Sequence, residues 1–212
     1  MLSFFKINDP YRLIAIVLLA FAVKLPFILN GSSFHDMYHW LTIGEAMQNG
    51  VMYSEIFDPL APLAAYVYWL IVLIFGKSIL TLHILGTLLL IVQAIIFNNL
   101  TIQSKVFEQN TYLPAFTFIM FSLSHYSLSV FSPAQLGMTF LLLAYSRLLT
   151  HVEFRAKRDE QIMSIGLHLG VAVLFYFQFV IFILIVLIIL MIYTNTLSRR
   201  YVIFIVNTIM PL

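Results

Sequence analysis

Residues 31–62, GSSFHDMYHWLTIGEAMQNGVMYSEIFDPLAP, gather the side chains of this sequence that are equipped for chemistry. Four of the nine Asp and Glu residues, Asp36, Glu45, Glu55 and Asp58, fall in this window with His35 and His39, and no Lys or Arg occurs between Lys24 and Lys77. Such a stretch reads as a non-cytoplasmic loop facing a polar ligand. His35, Asp36 and His39 could also ligate a divalent cation, because two His residues four apart share one face of a helix. The alternative is that both imidazoles are interfacial and bond headgroups or water, so no metal site is assigned. The chain has no cysteine, which excludes disulfides, thiolate catalysis and thiolate metal sites.

The elements that must position these side chains follow from composition. With 62% hydrophobic and 9% charged residues and a mean hydropathy of +0.99, the sequence departs from soluble domains, where about a quarter of residues are charged. It reads as an integral, multi-pass membrane protein. Apolar runs of roughly 18 or more residues recur between short polar breaks, the length a helix needs to cross a bilayer. Segments of alternating polarity, the mark of a spanning barrel, are missing from the pattern. The expected fold is all-α: a polytopic transmembrane helix bundle with a juxtamembrane amphipathic-helix loop after its first helix. The net charge of +2 is carried by Lys and Arg in short loops that set orientation, so nucleic acid is not an expected partner.

In order, the first helix spans about 12–30 and is expected to stay uncleaved, since LPFILNGSS lacks a small-x-small site. Lys6 and Arg12 hold its start in the cytoplasm, and Lys24 inside it either snorkels outward or points into the bundle. From Met37 to Val51, Met37, Trp40, Leu41, Gly44, Met47 and Val51 keep helical spacing against His39, Thr42, Glu45 and Gln48, which predicts a surface helix. Leu63–Phe75, about 13 apolar residues, is short for a span. Keeping it on the outer face returns the basic loop HVEFRAKRDEQ at 151–161 to the cytoplasm, as the positive-inside rule asks. Further helices are expected over about 79–98, 112–124 and 136–150, and the apolar run 162–194 is expected to split into two short helices near Gln178. The run 201–212 is too short to span alone, and the chain reads as part of a longer protein. Loop 31–78 then faces the periplasm of a bacterial inner membrane.

The outer loop carries a resemblance. Asp36 followed by Tyr38, then Gly44-Glu45-Ala46, Gly50, Tyr53, Asp58-Pro59 and Ala61-Pro62-Leu63 is similar to the first outer loop of the GT-C superfamily of membrane glycosyltransferases, which includes protein O-mannosyltransferases and aminoarabinose transferases. Gly76-Lys77-Ser78 resembles the Gly-x-Ser turn of many members, and Gly166-Leu167-His168-Leu169-Gly170 the glycine-rich start of a later helix. The resemblance implies a polyprenyl-phosphate-linked sugar, or another lipid, as donor, and Asp36 as a catalytic or metal-organising carboxylate, an acid that can act as general base. It implies substrate-binding roles for Glu45, Glu55, Asp58, His39, Tyr53, Lys24 and His125. Where members carry a second acidic or Arg-plus-Asp motif, HYSLSVFSPAQ at 125–135 has no acid, Arg or Lys.

Two further readings stand beside this one. The chain could be a catalytically silent GT-C-like subunit whose loop docks membrane-protein partners in an envelope assembly. It could also be a transporter-like bundle with Lys24, His83 and Gln93 along a polar path, although isolated polar residues in helices more often bond neighbouring helices. Gly86, Gly137 and Gly170 are read as close-packing positions.

Overall fold

The computed structural model of the chain describes residues 10–29, 35–48, 60–107, 111–154, 159–193 and 198–212. These residues form helices and turns, with no strand among them: α1 (Pro10–Leu29), α2 (His35–Gln48), α3 (Pro62–Phe75), α4 (Ile79–Gln103), α5 (Leu113–Ser124), α6 (Tyr126–Ser129), α7 (Pro133–Phe154), α8 (Asp159–Phe175), α9 (Val180–Tyr193) and α10 (Ser198–Ile209). The chain is therefore all-α, as its composition predicts. The surface helix expected from Met37 begins two residues earlier, and the break expected near Gln178 is a short 3-10 turn, Phe177–Phe179, between α8 and α9.

Local chemistry sets several boundaries. Pro62 opens α3, where its missing N–H costs nothing, and Gly76 ends it at φ +68°, its N–H bonding the Val72 carbonyl at 2.9 Å. Ser78 caps α4 by accepting the Thr81 N–H. α4 runs five residues beyond the expected end at about 98. At this end Asn98 and Thr101 are buried and bonded: Asn98 Oδ1 accepts the Ala115 N–H and the Thr101 hydroxyl donates to the Asn98 carbonyl.

Among the described residues one helix, α4, is long and apolar enough to cross a membrane, with α3, α5 and the Ile14–Leu29 and Phe177–Tyr193 segments shorter apolar helices. At 1.5 Å per residue α4 extends about 37 Å and α3 about 21 Å, against a hydrocarbon core of about 30 Å. The polarity of α4 is inverted relative to a helix of a water-soluble domain. Its exposed stripe is Leu80, Ile84, Leu88 and Val92, while His83, Thr87, Gln93 and Asn98 are buried.

The chain divides into two compact units, Met1–Gln135 and Leu136–Leu212. In the first, Ile16 and Ala20 of α1, Leu90 and Ala94 of α4, and Ala115 and Ile119 of α5 form an apolar core. α2 lies against α3 so closely that a Cβ on Gly44 would sit 2.6 Å from the Tyr68 carbonyl oxygen. Trp40 stacks on Tyr68, whose buried hydroxyl donates to the Phe131 carbonyl at 2.8 Å. Gly86 meets the backbone of Val130 and Phe131 in the same way, and Gln135 Nε2 donates to the Gly86 carbonyl.

In the second unit, Leu141, Leu148, Ile162, Ile165, Leu169, Leu190 and Phe204 form the core. α10 crosses α8 at Gly166 and Gly170, where a Cβ on Gly170 would lie 2.4 Å from the Thr208 carbonyl oxygen. Gly137 packs against Phe179 and the Ala172 carbonyl. Gly86, Gly137 and Gly170 are thus close-packing positions. Asp159 at the start of α8 accepts from Arg200 Nε at 2.9 Å and Arg199 Nη2 at 3.3 Å, tying it to the start of α10.

Candidate functional site

The site arises where the apolar core of the first unit turns polar. On α1 the buried positions Ile16, Ala20 and Lys24 follow one another at intervals of four, so Lys24 continues the core stripe by one more turn. On α4, Leu90 and Ala94 belong to the apolar core, and His83 and Thr87 extend their stripe toward the helix start. Lys24 and His83 thereby face a cavity of about 170 Å³, closed by Val23, Phe27, Leu123, Ser124, Tyr126, Ser129 and Val130.

Lys24 is 4% exposed. It therefore points inward and does not snorkel. Its ammonium lies 5.8 Å from the Phe27 ring centroid, a cation–π contact at the edge of the useful range. Among the described residues no carboxylate lies within ion-pair distance of it. The wall opposite is set by the turn after α5. His125 leaves helical geometry with its N–H on the Ser122 carbonyl, and α6 begins at Tyr126. The hydroxyls of Ser124 and Ser129 donate to the carbonyls of Phe121 and Tyr126, which leaves their oxygens as acceptors.

Asp36 lies in the first turn of α2, with its side chain exposed. Its charge reaches Tyr126: burial first and the Asp36 carboxylate second push the Tyr126 phenol above its ordinary range. Tyr126 thus remains a protonated donor at neutral pH, on the cavity wall and within the field of Asp36.

The predicted site residues divide. Lys24 lines the cavity and Asp36 acts on its wall through Tyr126. Glu45 does not join them; it forms an ion pair with Lys77 of the α3–α4 turn, so both are committed to holding α2 over that turn. His39 is exposed on α2, and His125 is exposed and outside the cavity lining. Tyr53, Glu55 and Asp58 lie outside the described residues, as do the side chains of His35 and Arg12, together with Lys6 and the 155–158 part of the basic loop. Among the described residues no three His, Cys, Asp or Glu side chains come together to hold a metal ion.

Of the three residues that the disfavoured transporter-like alternative would align, Lys24 and His83 share the cavity and Gln93 donates to the Gln135 carbonyl at 2.6 Å. Tyr126, Ser124 and Ser129 were not legible as site residues. The one available signal was Tyr126 as a titratable group in an outer loop otherwise poor in them.

The arrangement offers a buried cation, an imidazole and a phenol around one small space, with a carboxylate nearby at the surface. That combination can hold an oxyanion and take up a proton beside it. Compared with protein-family models, curated proteins and solved structures, the chain matches none.

Proposed function

We propose that the chain is a multi-pass membrane protein of GT-C type that transfers a sugar from a polyprenyl-phosphate carrier at the outer face of the membrane. The single observation that carries this reading is the cavity that Lys24 and Tyr126 line together, with Asp36 exposed in the first turn of α2 outside its lining. An exposed stripe of Leu80, Ile84, Leu88 and Val92 over a buried polar face on α4 supports a lipid environment. So does α9, which exposes Ile181, Leu184, Ile188 and Met191.

In the proposed reaction Asp36 accepts the proton of an acceptor hydroxyl as that oxygen attacks the anomeric carbon. The bond from that carbon to the phosphate oxygen breaks, and the carrier phosphate leaves with the electron pair. Tyr126, kept protonated, donates a hydrogen bond to the sugar or the departing oxygen.

A second reading, a catalytically silent subunit serving as scaffold for other membrane proteins, is favoured by the commitment of Glu45 to Lys77 and by the acid-free stretch 125–135. The test is to incubate membranes containing the chain with a polyprenyl-phosphate hexose bearing a labelled sugar. Transfer of label to an envelope acceptor supports the enzyme. No transfer above membranes lacking the chain sinks it and leaves the scaffold.

A further inference from the structure

α10 sets its two arginines to different tasks. Successive helical residues turn by about 100°, so Arg200 faces α8 while Arg199 points away from it. Arg200, with 14% of its side chain exposed, donates from Nε to Asp159 Oδ1 at 2.9 Å. Arg199, 79% exposed, reaches the other oxygen of the same carboxylate at 3.3 Å. One carboxylate thus serves two guanidiniums, and the surplus positive charge lies on the exposed one. Glu160 is exposed next to Asp159, yet this end of the second unit stays positive: segments 147–161 and 198–200 hold six Lys and Arg against three Asp and Glu.

The outward side of α10 is apolar. Val202, Val206 and Ile209 follow Arg199 at intervals of three or four and are exposed, while Phe204 and Thr208 turn toward α8 and are buried. The 12 residues of α10 extend about 18 Å, close to the half-thickness of about 15 Å of a hydrocarbon core. A guanidinium at one end of an apolar stripe one leaflet deep matches the shape of a phospholipid. The phosphate accepts the paired N–H donors of an arginine, and an acyl chain lies along the stripe. α9 exposes a comparable stripe but contains no Lys or Arg, so it offers a lipid no charge by which to be selected.

We infer that Arg199 with Val202, Val206 and Ile209 forms a binding site for an anionic phospholipid of the cytoplasmic leaflet, where the positive-inside rule puts these arginines. This rests on the membrane reading proposed above and not on sugar transfer, since a chain that transfers nothing would bind the lipid equally well.

The test uses the full chain in neutral detergent, titrated with phosphatidylglycerol or phosphatidylcholine of identical acyl chains and read by native mass spectrometry. Wild type should retain phosphatidylglycerol in preference to phosphatidylcholine. Arg199→Gln should weaken phosphatidylglycerol about fivefold and leave phosphatidylcholine unchanged, with a melting temperature near that of wild type because Arg200 keeps Asp159. Arg147→Gln, which removes an exposed cation of α7, should keep the preference, and Val206→Asn should weaken both lipids alike. Equal retention of the two lipids by wild type, or an unchanged preference in Arg199→Gln, overturns the inference. So does a loss in Arg147→Gln as large as that in Arg199→Gln, the sign of a diffuse basic surface. A wild-type dimer that Val206→Asn dissociates, with no lipid retained, would overturn it in favour of a second copy on this face.

Discussion

Lys77 of the α3–α4 turn is ion-paired with Glu45 of α2, a contact that engages the carboxylate to which the resemblance gave a substrate-binding role. Both partners are nearly half exposed, with side-chain exposures of 44% and 46%. Solvent screens such a pair to roughly 0.2–1 kcal/mol. Lys77→Gln and Glu45→Gln should each lower the melting temperature slightly and leave sugar transfer unchanged. A transfer rate that collapses in Glu45→Gln, with folding intact, would return Glu45 to the site.

Close packing makes a stronger prediction. A Cβ on Gly86 would lie 2.4 Å from the Phe131 nitrogen and one on Gly170 2.4 Å from the Thr208 carbonyl oxygen. Because backbone atoms cannot swing aside as a side chain can, Gly86→Ala and Gly170→Ala should each cost about 1–3 kcal/mol or more. Gly76 has open space around it but a φ of +68°, so Gly76→Ala should cost about 1–2 kcal/mol through strain alone. Thermal unfolding of the three variants in one detergent would rank them.

The buried Tyr68 hydroxyl gives a third prediction, since it donates to the Phe131 carbonyl at 2.8 Å. Tyr68→Phe keeps the ring stacked on Trp40 and leaves that carbonyl without this donor, a loss of about 1–3 kcal/mol. Unfolding followed by Trp fluorescence should show the lower midpoint with the native emission little changed.

Stability should also depend on pH through His151, which begins the basic stretch 151–161. Burial pushes its imidazole below the ordinary value of 6.5 and Arg200 pushes in the same direction, while its hydrogen bond to Gln161 opposes them. The unfolded chain therefore binds this proton at a pH where the folded chain does not, so stability contributed above 6.5 is lost as pH falls toward the lower folded value. Melting temperature should fall on acidification through that window in wild type and fall less in His151→Gln. An equal slope in both would contradict the assignment.

Much of the fold was legible because it depends on local period. The apolar spacing of Met37, Leu41 and Gly44 gave α2 its buried face, and Gln178 in an overlong apolar run marked the break before α9. α4 runs past the expected end at about 98 with Asn98 and Thr101 buried and hydrogen-bonded in the folded unit, contacts that sequence spacing does not show. The inward direction of Lys24 was written in its register with Ile16 and Ala20, whereas the pairing of Glu45 with Lys77 requires α2 to fold over a turn that sequence spacing does not specify. Tyr126 joins the site through tertiary packing of the turn after α5, which no local pattern predicts.

The most direct measurement compares wild type, Asp36→Asn and Asp36→Glu for label transfer from a polyprenyl-phosphate hexose in membranes, with folding followed by thermal unfolding of each purified variant. Asp36 is exposed at the start of α2, so loss of its charge should leave the fold intact. The account predicts that transfer disappears in Asp36→Asn and survives in reduced form in Asp36→Glu. Wild-type transfer in a folded Asp36→Asn protein would contradict it.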